Sequence, residues 1–431
     1  MTILIHALLR RLPGLLMAAL IAAPCAVDAQ TQANAQTTAG PILTLERTLA
    51  LAEASAPSLQ AAEAGVRATG AARDIAGLRP NPTFNSSLEY FGGSGQYRDL
   101  QSAEATVGVA QQIELGGKRS ARVGVANAQG EQARVALLIA AADIRLAVTQ
   151  AYLEAVAAER RFVTAREQAS IAGDAARAAG IRVRAGRASP IEQQRADVVR
   201  INADAAVERA QRMSEVARGN LARRIGQPVT GALDLAWFDR VQGSGPSVPV
   251  SPGGTLALTA ARAEVTTADA QVRLARSQRI PDVTISAGAR RIEQTNDTAA
   301  VVGLSIPIPL FNNGRASIAQ ASAQREQADA MRRAAEVDAA QSIANAQAEV
   351  ANAATTARTA SGPALAAALE SARIARIGYR EGKFGQLDLL DAERTLSETR
   401  TAAIDALAAY HDAKARLERL TAAAPDLAKD Q

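Results

Sequence analysis

The chain repeats itself at a period of about 196 residues, so whatever fold serves one half must also serve the other. Val107-Gly108-Val109-Ala110-Gln111-Gln112-Ile113-Glu114-Leu115 aligns with Val302-Gly303-Leu304-Ser305-Ile306-Pro307-Ile308-Pro309-Leu310. Each is followed by a turn, Gly116-Gly117-Lys118-Arg119 in the first copy and Asn312-Asn313-Gly314-Arg315 in the second. Farther on, Ala179-Gly180-Ile181-Arg182-Val183-Arg184-Ala185-Gly186-Arg187 aligns with Ala375-Arg376-Ile377-Gly378-Tyr379-Arg380-Glu381-Gly382-Lys383. The copies occupy residues 43–226 and 255–421, flanked by an extension at 30–42 and a tail at 422–431. Residues 227–254 lie between them. They are rich in Pro and Gly, hold Trp237 and Phe238, and read as a connecting segment with a little packing of its own.

Each copy has the same grammar: a helix, two short strands, a very long helix, a Gly-bearing turn and a returning helix. The pattern predicts helices near 43–79, 117–179 and 189–225, then 255–279, 315–377 and 386–421. Ser361-Gly362-Pro363 should break or kink the longest helix of the second copy. In the first copy Leu137, Ala141, Ile144, Val148, Ala151, Ala155, Ala158 and Phe162 alternate steps of four and three. Ile343, Ala346, Val350, Ala353, Ala357, Ala360 and Ala364 do the same in the second. That period means long helices packed side by side, and Ala knobs permit close approach. A helix of about 60 residues is roughly 90 Å long, several times the width of an ordinary domain.

Strands are expected near 82–91, 104–113, 282–292 and 299–308. Phe84, Leu88 and Tyr90 share one face against Thr83, Asn85, Ser87 and Glu89, and Val302, Leu304, Ile306 and Ile308 share another. Ten such residues suffice for a tilted strand to cross a bilayer, although from alternation alone half-buried hairpins fit equally. Four strands cannot close a barrel, and an open edge in lipid leaves backbone groups unsatisfied at several kcal/mol each. If the strands cross a membrane, several chains share one barrel.

Composition narrows the chemistry. The chain is 48% apolar but only 3% aromatic, which favours close-packed Ala-rich helices over a thick core. Its 48 basic and 43 acidic residues are interleaved, which gives no nucleic-acid footprint. Two His and one Cys, with His6 and Cys25 both near the start, exclude a His/Cys metal site within one chain. No Ser, His and Asp set suits nucleophilic catalysis, and His411 reads as a packing or surface residue. Gly116-Gly117-Lys118 lacks the spaced Gly and following Ser or Thr of a phosphate loop. Residues 1–29 read as a secretory signal: Arg10 and Arg11, an apolar stretch over 12–23, and cleavage after Ala29. Ala33-Asn34-Ala35 offers a second cleavage site and Cys25 a lipid-modified start. The apolar stretch is too short to span a membrane, so the mature protein is expected to hold no transmembrane helix.

Signal, repeats and motifs together resemble the outer-membrane factor (TolC-like) family, over about residues 43–421. Gln112-Ile113-Glu114-Leu115-Gly116-Gly117-Lys118-Arg119 resembles the heavy-metal, cobalt-zinc-cadmium branch. Tyr379-Arg380-Glu381-Gly382-Lys383-Phe384-Gly385-Gln386-Leu387-Asp388-Leu389-Leu390-Asp391 resembles the turn at the family's periplasmic tip. The resemblance implies a mainly α fold with a small β part. Long antiparallel coiled-coil helices would form a periplasmic α-barrel, and four strands per chain would join a shared 12-stranded β-barrel in a homotrimer. It also implies a passive duct without catalysis or cofactor, seated in outer-membrane lipid and joined through a periplasmic adaptor to an inner-membrane RND pump. Heavy-metal cations are the expected cargo. A duct for drugs or secreted proteins is the alternative within the family, and a soluble periplasmic coiled-coil scaffold the alternative outside it.

Asp388 and Asp391, three apart on one helix face, are by this resemblance the aperture residues, where threefold symmetry would gather six carboxylates that attract cations. A solvated helix start is the plainer reading of the residues alone. Gly186, Arg187 and Ser189, with Gly382, Lys383 and Phe384, form the tips that would meet the adaptor. Ser189 before Pro190 also reads as a helix N-cap. Gly116, Gly117, Lys118 and Arg119, with Asn312, Asn313, Gly314 and Arg315, read as turns from strand to helix, with Lys118 and Arg119 near the membrane surface.

Overall fold

The computed structural model describes residues 42–241 and 252–424. The signal, Cys25, most of the 30–42 extension, the middle of the connecting segment and most of the tail lie outside the described residues. In chain order the elements are α1 (Leu45–Ser55), α2 (Pro57–Ala76), β1 (Thr83–Glu89), β2 (Glu104–Ile113), α3 (Lys118–Arg184), α4 (Pro190–Ile225) and the short α5 (Leu235–Phe238). The second copy gives α6 (Leu256–Ser277), β3 (Val283–Ile292), β4 (Asp297–Ser305), α7 (Arg315–Thr359), α8 (Leu365–Arg380) and α9 (Gln386–Leu420). The four strands form one antiparallel sheet in the order β1-β2-β3-β4, so the two hairpins, one from each copy, meet between β2 and β3.

Several expected boundaries are corrected. The first helix, expected unbroken over 43–79, splits at Ala56, which is extended at ψ 117° because Pro57 follows it. The long helix expected to stop at 179 runs to Arg184 and ends against Gly186. The strand expected at 82–91 stops at Glu89, since Tyr90 turns to φ +57°. The strand expected at 299–308 is instead Asp297–Ser305: Pro307 and Pro309 have no N–H to give a ladder, and pairing with β3 extends the strand toward its hairpin instead. The kink expected at 361–363 falls in a π-turn, Ala360–Ala364, where Ser361 Oγ donates to the Ala357 carbonyl at 2.7 Å.

The connecting segment does more than expected. Phe238 is fully buried in the main core with Val148, Tyr152, Val350 and Tyr410, so α5 is clamped onto α3 and α9. Trp237 stacks on His411 at 4.4 Å, and His411 Nε2 lies 2.9 Å from the Phe238 carbonyl oxygen. Burial holds the imidazole below its ordinary pKa, which makes it a neutral donor in the core. The Tyr152 hydroxyl donates to the Leu43 carbonyl at 2.8 Å and accepts from Asp234 N–H at 3.0 Å, tying both chain segments to the helices. Burial pushes that phenol up to about 12.

Candidate functional site

The sheet has two chemically distinct faces. Cross-strand partners share a face, and the row Phe84, Val109, Ala287, Val302 continues through Leu88, Val107, Ile285 and Leu304 into one apolar surface. These side chains are exposed, Val302 at 80% and Phe84 at 72%. The opposite face carries Asn85, Ser87, Thr106, Gly108, Ser286, Gly288 and Gly303. Along β3 this second face is consistently the more enclosed, as on the inside of a curved sheet. Gly108 and Gly288 stand directly opposite there, and a Cβ on Gly288 would lie 2.3 Å from the Val107 carbonyl oxygen. Only glycine permits that approach. Within the described chain β1 and β4 are free edges.

Where strands meet helices, the glycines turn the chain, while Lys118, Arg119 and Arg315, expected in the turns, instead open helices α3 and α7. Gly116 and Gly117 both have positive φ, and Gly314 caps α7 at φ +76°. Asn312 Oδ1 accepts from Gly314 N–H at 3.2 Å and Asn313 Oδ1 from Arg315 N–H at 3.1 Å. Lys118 and Arg119, expected beside the membrane surface, are taken up by internal bonds: Lys118 Nζ lies 2.6 Å from Asp282 Oδ1, and Arg119 Nε donates to the Gly77 carbonyl at 2.6 Å. Asp282 also accepts from Leu115 N–H at 3.1 Å and from Gln112 Nε2 at 2.8 Å. Glu114 is held by Arg122, whose hydrogen bond lowers its pKa. Sequence reasoning missed Asp282. The only signal was a lone carboxylate between Pro281 and a strand, and its cationic partner is 164 residues away.

At the far ends of the helices the two tips stand together. Both reverse on a glycine, Gly186 at φ +68° and Gly382 at φ +72°. Ser189 caps α4 by accepting from Ile191 N–H at 3.4 Å. Arg187 and Lys383 are exposed, while Phe384 packs over Gly378 and is 42% exposed. The Arg182 guanidinium sits 4.7 Å over the Tyr379 ring, and Gln386 Nε2 donates to the Glu192 carbonyl at 2.7 Å, so the hairpins are stitched side by side. Asp388 and Asp391 both project from the exposed start of α9. Asp388 Oδ2 accepts from Gly385 N–H at 2.9 Å as a cap, and Asp391 Oδ1 accepts from Arg394 at 2.9 Å. Among the described residues no group of three or more His, Cys, Asp or Glu could hold a metal ion.

Residues 48–227 and 254–423, one stretch in each copy, match the family described as Outer membrane efflux protein. The chain belongs to that family. It is 30% identical over 391 residues to the cobalt-zinc-cadmium resistance protein CzcC of Cupriavidus metallidurans, covering 89% of this chain and 90% of that one. It is 34% identical over 279 residues to the nickel and cobalt resistance protein CnrC of the same organism, covering 64% of this chain and 65% of that one. Among solved structures, CusC superposes with a TM-score of 0.74 at 16% identity over 88% of this chain and 92% of that chain. An outer membrane efflux protein is an outer-membrane channel, and the two-faced sheet and paired long helices are its wall. In transmembrane β-barrels generally, the apolar face of the strands meets lipid and the opposite face lines the lumen.

Proposed function

We propose that three copies of this chain close one twelve-stranded barrel in the outer membrane and carry heavy-metal cations outward through it. The observation that carries the reading is the four-stranded sheet with one apolar face and two free edges. An edge strand in hydrocarbon must find a partner, and a symmetric ring of copies supplies identical partners without end strands. Three copies of four strands give a barrel wide enough for a water-filled lumen. The heavy-metal cargo is supported by the identity to the cobalt-zinc-cadmium resistance protein along nearly the whole chain.

In this reading each repeat, residues 43–226 and 255–421, supplies one hairpin and one long helical column. Asp388 and Asp391 from three copies ring the periplasmic aperture and favour cations. The tips, through Gly186, Arg187, Ser189, Gly382, Lys383 and Phe384, receive a periplasmic adaptor that links the duct to an inner-membrane RND pump. The duct moves its cargo passively and needs no cofactor. Deleting the gene tests this: cells should tolerate less cobalt, zinc or cadmium than the parent, and the wild-type gene should restore them. Unchanged metal tolerance with new drug sensitivity would turn the assignment to the multidrug alternative.

A further inference from the structure

We propose that the pair Arg290 and Glu104 sets the ion preference of the duct's outer end. Glu104 neutralises a guanidinium that would otherwise draw anions into an exit for cations. The inference rests on reading the enclosed sheet face as the lumen wall.

Arg290 is the one basic side chain that the strand register places on that face. It stands one row in from the hairpin ends of the strands, opposite Thr106 and Ala299. Its Nη1 donates to Glu104 Oε2 at 2.6 Å and its Nε donates to Thr106 Oγ1 at 3.0 Å. Two different nitrogens thus hold the planar fork flat against β2, a geometry that a lysine could not reproduce. On the same face the next row outward, two register positions away, reads Glu89, Glu104, Ile292, Asp297. Glu89 and Asp297 make no ion pair among the described residues, so with Arg290 compensated the row keeps an excess of negative charge. Threefold repetition would place three guanidiniums at one height inside a wall of low dielectric, where the potential of each ring is focused along the axis. Whether those guanidiniums are compensated therefore decides the sign of the field that a departing ion meets.

The alternative is that the pair only staples β2 to β3, and ion preference separates the two. Purified full-length channel would be reconstituted in planar bilayers under a potassium chloride gradient. Reversal potentials would be compared for the wild type, Glu104→Gln, Arg290→Gln and the double variant. Glu104→Gln should lower the cation-to-chloride permeability ratio by about threefold, Arg290→Gln should raise it, and the double variant should return close to wild type. Equal ratios in all four channels, or shifts of the same sign in both single variants, would overturn the proposal. Should Glu104→Gln not assemble, Arg290→Gln leaves no unpaired cation on the wall and decides alone, an unchanged ratio overturning the idea. A wild-type chain that neither assembles nor conducts would instead strike the barrel reading on which this one stands.

Discussion

Asp282 gathers Lys118 Nζ, the Leu115 N–H and the Gln112 amide onto one carboxylate at the point where two strands hand over to helices. Burial opposes its charge, but these hydrogen bonds, that of Lys118 first, outweigh burial and hold its pKa below the ordinary 3.8. A carboxylate whose pKa is lower folded than unfolded stabilises the fold above the ordinary value, and the gain fades as pH falls through the lowered one. Asp282→Asn should therefore destabilise the protein by about 2 kcal/mol at neutral pH. The difference from wild type should shrink steadily below about pH 3.8. Unfolding midpoints of both proteins in detergent, taken across that range, check it; a gap independent of pH would mean that the lost shape matters and the charge does not. In the sequence Lys118 was legible as part of a turn, whereas its partner was not, because spacing along the chain carries no trace of a bond across 164 residues.

Among the elements, the long helices were the most legible, since a 3.5-residue apolar period survives whatever they pack against. Val148, Ala155 and Ala158 are buried in the first copy and Ile343, Ala346, Val350 and Ala357 in the second. The ends of elements were less legible, because pairing partners decide them: β4 begins where β3 can still match it, at Asp297 opposite Ile292. Trp237 and Phe238 looked like local packing because nothing nearby in sequence announces His411 as the ring they stack on. Gly288 is the sharpest case. An isolated glycine in a strand reads as a weakness, yet here it lets the enclosed face close on Gly108. Gly288→Ala would put a methyl against the Val107 carbonyl and the Gly108 Cα, which are backbone atoms with no side chain to yield. A cost of about 1–3 kcal/mol follows, with fewer chains recovered as assembled channel. Gly65→Ala, in helix α2 with nothing within 4 Å of its added methyl, is the control and should be neutral or slightly stabilising. Equal recovery of the two variants would show that the sheet does not need its close approach.

For the whole molecule the question is what covers its exposed apolar surface. The outward sheet face is one such surface. Another is in α3, which holds a stretch long and apolar enough by composition to cross a membrane, of which only 17% is buried within the chain. The expectation of no transmembrane helix in the mature protein is not overturned by this stretch, which passes by length and composition alone while Asp143 and Arg145 interrupt its apolar run. That stretch belongs to a 67-residue helix that pairs with α4 and α9, so neighbouring helices are a better cover for it than lipid. Both surfaces, and both free edges, are covered at once if identical chains close into a ring. The chain's single cysteine is Cys25, so in a Cys25→Ser background introduced thiols report without ambiguity. One cysteine in edge strand β1, at Asn85 or Ser87, paired with one in edge strand β4, at Val301 or Gly303, should oxidise between neighbours in intact outer membranes. Disulfides need Cα atoms within about 7 Å, so only pairs in register should react. A closed ring of three makes a ladder of one, two and three chains with nothing above, because the third bond uses the last free edge. A ladder that stops at two, or climbs past three, would refute threefold closure while leaving the fold of the single chain intact.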